Sequence, residues 1–437
     1  MGKLQDSFDK FIEYIVRFAE IKAVIALKDG FILTLPITLV GSVFLLIMCF
    51  PINGYSDFMA GVFGKGWDAP LQQVSDATFG VLALFSVLGI AYKYAESEEC
   101  DGITCALLAL GSFFIITKAS VIAKSGEIVG GVIPRAWVGG NGMISSIVIG
   151  LVVGYIFCYF AKRGIGIKMP AGVPDGVAKA FAALLPGAVV FTLSAVVYFI
   201  CDKLAGQTFT EVIFTGLQTP LQNLSDTLIG GAILSILMCV LFWAGIHGPN
   251  IVGGVMNPVL TANAIDNQHL IDAGISLLGN EQAKIITIQV TDVFIKLGGC
   301  GATLGFLIAM IIFARSAQFK QMSKLALIPG LFNINEPIIF GLPIVFNPYF
   351  IVPFIGAQLV ALFITYISIA IGFMTPFGAV QVPWTTPPLI SGLLLAGWQG
   401  LVVQIVIVAA SVAIYLPFMK VQDKVFVKDE EDAKQAA

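Results

Sequence analysis

Charge is what this sequence lacks. Only 12% of its 437 residues are Asp, Glu, Lys or Arg, about half the share of a soluble domain. No water-soluble globule of this length could cover its surface with so few charges. Disorder, collagen and a disulfide-stapled secreted scaffold are excluded by the same composition, since 57% of residues are hydrophobic. Histidine is nearly absent, with two in the chain, and the seven cysteines are scattered without a CxxC pair. They read as small buried hydrophobes, so no metal site and no cofactor is expected. No Walker A, HExxH or GxSxG pattern occurs, and a net charge of −3 offers nothing to nucleic acid. What is present is apolar helix, enough for an all-α polytopic protein embedded in a lipid bilayer.

The few charges crowd at the ends. Residues 1–30 hold ten and residues 420–437 hold nine. Phe8, Phe11, Ile12, Ile15, Phe18 and Ala19 recur at helical spacing opposite Lys and Glu, so residues 1–30 are expected to form an interfacial amphipathic helix. A bilayer core of about 30 Å needs about 20 apolar residues. Stretches that meet this are 31–50, 77–95, 102–118, 142–161, 178–201, 228–246, 285–314, 349–374 and 389–418. Two further apolar stretches, 247–264 and 325–348, are rich in Gly, Pro and Asn. Such backbone survives at membrane depth only where protein or a water-filled cavity covers it, so both read as re-entrant or broken segments. Lys and Arg gather in the N-terminal region, in 162–179 and in the C-terminal tail. The positive-inside rule then puts both termini in the cytoplasm, which requires an even number of spans. The chain divides by character into regular spans over 31–203, a second region over 204–420 that holds both irregular segments, and a polar, mobile cytoplasmic tail over 421–437.

Two residues stand out for chemistry. From Leu325 to Phe418 the only charged residue is Glu336, in NINEPIIFG, with Asn333 and Asn335 before it and Pro337 after. An ionisable group in a membrane segment is costly and points to function. Its bland alternative is a carboxylate capping a half-helix. From Thr227 to Ile265 the chain has no Asp, Glu, Lys or Arg, and His247 sits in FWAGIHGPN at a Gly–Pro break. Trp243 precedes it by one turn, and Asn250 and Asn257 follow. A carboxylate, an imidazole and amides suit a polyol, whose hydroxyls each want a donor and an acceptor. Trp243 and Trp384 are candidates to stack on a sugar face, or else belong to an interfacial aromatic belt. Gln218 and Gln222 are further polar candidates. Asp292 and Lys296, four apart within 285–314, read as a mutually neutralised pair or, alternatively, a coupling-ion site.

NINEPIIFGLPIVFNP, with HGPN upstream and WTTPP downstream, resembles the membrane-spanning IIC component of bacterial phosphotransferase-system permeases of the lactose/cellobiose/diacetylchitobiose family. The resemblance runs over nearly the whole chain. It implies a homodimer of about ten-span protomers in the bacterial inner membrane, with two re-entrant hairpins, dimerisation through the N-terminal domain and a substrate domain in the C-terminal half. It implies that a disaccharide is carried inward and phosphorylated by a separate phospho-IIB protein charged by IIA. Glu336 and His247 would hold the sugar and place its 6-hydroxyl, with Asn250, Asn335 and Trp384 lining the site. The competing expectation is an ion-coupled secondary transporter using Asp292 and Lys296, or Glu336. An intramembrane enzyme is disfavoured because no nucleophile–base pair is readable.

Overall fold

A computed structural model describes residues 20–48, 54–123, 127–170, 172–245, 247–342, 344–345, 347 and 349–436. The expected amphipathic helix falls largely outside these residues. Among them, six helices are long and apolar enough to cross a membrane: Lys22–Leu45, Ala69–Ser97, Gly140–Lys162, Asp175–Ala205, Ile351–Ala370 and Ile390–Asp432. A further pair, Phe209–Ser225 and Leu228–Trp243, is bent by 83° at its break. Gly102–Ile115 and Leu304–Phe313 are shorter apolar helices.

The chain forms two compact units. The first comprises Met1–Gly41, Gln73–Asn223 and Gly253–Ile265; the second comprises Ser42–Gln72, Leu224–Val252 and Asp266–Ala437. Neither is one continuous stretch, so the linear division near residue 203 is not the division of the contacts.

The first unit is a bundle of regular helices. Leu82–Ser97 packs on Lys22–Ile32, Gly102–Ile115 and Met143–Lys162, around a core that includes Leu82, Val87, Phe113, Met143 and Val153. The helices cross closely because both faces carry glycine at the contact. A Cβ on Gly30 would lie 2.5 Å from Ile90 Cα, a distance no real contact tolerates, so small residues set the spacing as they do in membrane bundles generally. The first membrane-capable helix therefore starts at Lys22, earlier than residue 31: Ala26, Leu27, Gly30 and Phe31 are already buried. One small departure from the all-α expectation is an antiparallel hairpin, Ser120–Ile122 with Ile128–Gly130, in register Ser120 to Gly130. β-branched Val121, Ile122, Ile128 and Val129 favour it on either side of the polar connection.

The second unit has less regular backbone. Its core is aromatic: Phe306 stacks on Tyr415 at 5.0 Å and contacts Phe350 at 5.6 Å. Three expectations about the chain beyond residue 203 change. The stretch 285–314 is not one helix: a π-helical turn, Val290–Ile295, is followed by a glycine-rich loop, and regular helix resumes at Leu304. Gly298, Gly299, Gly301 and Ala302 all have positive φ, which breaks the helical run. The stretch 247–264 is continuous helix, Gly248–Asp272, because its Gly–Pro occupies the first turn, where proline is tolerated. The tail after residue 420 is helical as far as Ala436 and makes contacts with the start of helix Ala317–Leu331. Asp423 accepts from the Arg315 and Ser316 amides, Glu430 accepts from the Ala317 amide, and Phe426 lies 5.1 Å from Phe319. These carboxylates satisfy the exposed N–H groups that begin helix Ala317–Leu331.

Candidate functional site

His247 and Glu336, 89 positions apart in the chain, come together in the second unit. Helix Leu228–Trp243 ends at Ala244, and Gly245 turns the chain with φ of 81°. His247 then caps helix Gly248–Asp272, its Nδ1 accepting from the Asn250 amide at 3.2 Å. An accepting Nδ1 leaves the proton on Nε2 in the neutral ring. That Nε2 lies 3.4 Å from Glu336 Oε1. Glu336 opens the short helix Glu336–Gly341, which Pro337 helps to start. The positive end of helix Gly248–Asp272, at His247, therefore sits beside a carboxylate, a favourable arrangement. Phe242 backs the imidazole at 4.7 Å between ring centres.

Both side chains stay open: 38% of His247 and 43% of Glu336 is exposed. The 3.4 Å separation leaves acceptor capacity on the carboxylate and makes their mutual bond a weak one. The pair offers a ligand an anionic acceptor beside an N–H donor. Asn250 is exposed one turn into the helix that His247 caps.

The asparagines flanking Glu336 do something else. Asn333 has φ of 61°, a left-handed conformation that asparagine tolerates. Its Oδ1 accepts from the Gly298 amide at 2.7 Å, and its Nδ2 donates to the Trp384 and Thr386 carbonyls at 2.6 and 3.0 Å. Asn335 is buried and its Nδ2 donates to the Cys300 carbonyl at 2.6 Å and to Thr303 Oγ1 at 3.1 Å. These amides fasten the segment that carries Glu336 to the glycine-rich loop, and Asn333 extends the fastening to the turn at Trp384–Thr386. Trp384 is exposed while its carbonyl is held. Trp243 donates Nε1 to the Asn347 carbonyl at 2.7 Å, so its polar edge is committed to the loop after Glu336.

Asn257, Gln218 and Gln222 belong to the first unit. Gln218 is buried, donating to the Gly140 carbonyl at 2.8 Å and accepting from the Ile144 amide at 3.2 Å; its amide closes a helix start. Gln222 is also buried. Asp292 and Lys296 pair at 2.6 Å. Among the described residues no group of three metal-ligating side chains occurs.

Further side chains hold this backbone, and no motif in the sequence marks them. Gln404 accepts from the Leu389 and Gly392 amides and donates to the Val293 carbonyl and Ser391 Oγ. Gln358 accepts from the Gly301 amide at 2.6 Å. Asp226 accepts from the Ile285 and Ile286 amides at 2.6 and 2.8 Å. The available signal was a lone Gln inside an otherwise apolar helix, as in GLVVQIVIV and FIGAQLVAL.

Comparison with known proteins decides the family. The family described as Phosphotransferase system, EIIC matches residues 28–358. The chain belongs to the phosphotransferase-system EIIC family. It is 39% identical over 415 residues to the lichenan permease IIC component of Bacillus subtilis (strain 168), covering 93% of this chain and 90% of that one. It is 37% identical over 431 residues to the cellobiose-specific EIIC component of Geobacillus stearothermophilus, covering 97% and 95%. Its structure matches the crystal structure of the transporter ChbC, the IIC component from the N,N'-diacetylchitobiose-specific phosphotransferase system, with a TM-score of 0.90 at 37% identity, covering 96% of this chain and 98% of that chain. This EIIC chain is accordingly an integral membrane protein built on the ChbC fold.

Proposed function

We propose that this EIIC chain is a sugar permease that binds a β-linked disaccharide of the cellobiose or diacetylchitobiose type and presents its 6-hydroxyl to a separate phospho-IIB protein, itself charged by IIA. The observation that carries the reading is the open His247–Glu336 pair, an N–H donor beside an anionic acceptor at 3.4 Å in a region otherwise almost free of charge. The relatives named for lichenan, cellobiose and diacetylchitobiose support the substrate class.

In this reading Glu336 accepts from sugar hydroxyls, and its carboxylate makes bonds roughly twice as strong as neutral ones. His247 positions the reacting hydroxyl through its Nε2–H, and the Glu336 carboxylate takes the hydroxyl proton as the phosphoryl group passes from IIB to the sugar oxygen, without resting on His247. A dianionic phosphohistidine there would carry a large desolvation cost. Trp384 supplies a flat apolar face to a sugar ring, and Asn250 adds a polar edge. Asn333 and Asn335 act by positioning Glu336 and Trp384. The protein works as a homodimer of about ten-span protomers with one re-entrant segment, around Glu336, and cytoplasmic termini.

Glu336→Gln tests the reading. It keeps the size and removes the charge-assisted acceptor, so affinity for the disaccharide should fall at least about tenfold, or 1.4 kcal/mol. Isothermal calorimetry with cellobiose and with diacetylchitobiose on the folded variant decides, and unchanged binding of both sinks the assignment.

A further inference from the structure

A cavity lies within the first unit, independent of the sugar reading. It has a volume of about 650 Å³ and is lined by the end of helix Met143–Lys162, the connection that follows, the start of the next membrane-capable helix and residues 99–101. Its apolar wall includes Phe157, Phe160 and Pro186, and its charged lining is Glu99, Asp101, Lys162, Lys168 and Lys179.

Two facts locate and characterise it. It joins the end of one membrane-capable helix to the start of the next, so it sits at the membrane–water boundary. Tyr155 and Tyr159 are exposed on the same helix end, with the Arg163 guanidinium 4.4 Å over the Tyr159 ring, as at a headgroup-level aromatic belt. The second fact is charge. Lys162 is committed to Glu98. Among the described residues Glu99, Lys168 and Lys179 form no ion pair, although they line one cavity, and Asp101 takes only the Thr104 hydroxyl at 2.5 Å. Groups of both signs are thus left for an occupant.

We propose that this cavity binds a zwitterionic phospholipid whose headgroup carries a phosphate and a primary ammonium. Lys168 and Lys179 receive the phosphate, Glu99 and Asp101 receive the ammonium, and the acyl chains run along Phe157 and Phe160 toward the bilayer. A purely anionic lipid leaves the two carboxylates facing a like charge. A choline headgroup has no N–H to donate to them. A soluble phosphate ester has no use for the apolar wall.

The test uses the purified full chain, delipidated in detergent and offered dioleoylphosphatidylethanolamine, dioleoylphosphatidylcholine or dioleoylphosphatidylglycerol, with bound lipid counted by native mass spectrometry. Phosphatidylethanolamine should be retained at least fivefold over either competitor. The K168Q/K179Q double variant, whose changes lie on the exposed rim, should lose most of that retention with an unchanged melting temperature. E99Q should narrow the preference of ethanolamine over glycerol. Free phosphoethanolamine should not displace the lipid at equal concentration. Equal retention of the three lipids, a preference for phosphatidylglycerol, indifference to K168Q/K179Q, or displacement by phosphoethanolamine would each overturn the proposal. Equal retention is also the result expected if a cytoplasmic protein fills the cavity instead.

Discussion

The two units solve one problem in opposite ways. In a bilayer every backbone polar group must be satisfied within the protein. The first unit does this with regular helix, and its polar side chains mostly bond back to their own helix, as Ser86 does to the Leu82 carbonyl and Ser146 to the Met143 carbonyl. The second unit breaks its helices at the glycine-rich loop, around Glu336 and across 371–389, and then satisfies the freed groups with buried amides from elsewhere. Asn267 binds Lys284 through both its amide and carbonyl, and Gln289 donates to the Gly378 and Val380 carbonyls. The irregular unit is the one that displays an unburied carboxylate and imidazole. Regular helix presents side chains only; broken helix also presents helix ends and a positioned Glu336.

The sharpest way to break this contrast is to remove a clamp from the second unit and, as a control, a buried hydroxyl that clamps nothing from the first. Gln404→Leu leaves the Leu389 and Gly392 amides and the Val293 carbonyl without a side-chain partner. At about 1–3 kcal/mol for each buried group left unmatched, a loss of several kcal/mol is expected. Ser145→Ala is the control from the first unit: Ser145 Oγ is buried with no hydrogen-bond partner among the described residues, so its removal should be neutral. Chemical unfolding in detergent reads both, and equal effects would contradict the contrast.

Next in size is Gly30→Leu. The first unit depends on close helix contact, so the new side chain, meeting Ile90 backbone, should cost about 1–3 kcal/mol through overpacking. A melting temperature unchanged in detergent would show that the crossing is looser than the geometry implies.

The smallest effect is pH dependence at the edge of the first unit. Lys162 and Lys22 both bond to Glu98, and they hold its carboxyl below the usual value. A carboxylate with a depressed folded pKa contributes stability above its unfolded pKa of about 4.3 and loses it as pH falls through the lower folded value. Stability should therefore decline below about pH 4 in the wild type, and Glu98→Gln should flatten that part of the profile. Parallel profiles for the two proteins would remove Glu98 from the account.

Glu336 and His247 were legible in the sequence because each is the isolated ionisable group of a long apolar stretch, and a polar group in such a place needs a reason. The helical bundle was legible from length and hydropathy. What was not legible is direction. Asn333 and Asn335 stand beside Glu336 in the chain and read as ligand contacts, yet their amides bond to Gly298, Trp384, Thr386, Cys300 and Thr303. A sequence shows that an amide is present, not which backbone a broken helix will bring to it. The same limit hid Gln358, whose Gly301 partner lies in the glycine-rich loop that interrupts a helix, and Gln404, which bonds to Leu389, Gly392, Ser391 and Val293. The Gly–Pro at 248–249 shows the opposite limit: the same dipeptide that breaks a helix from within starts one from its first turn.

The central claim is that His247 and Glu336 hold the sugar as a unit, and a double-mutant cycle on ligand binding tests it most directly. Disaccharide affinity would be measured calorimetrically for the wild type, His247→Ala, Glu336→Gln and the double variant. Residues in contact that share a ligand couple by about 0.5–3 kcal/mol, whereas independent sites add to within about 0.5 kcal/mol. The account predicts that each single change removes most of the binding and that the double variant loses far less than their sum. Strictly additive losses, or full binding in either single variant, would contradict it.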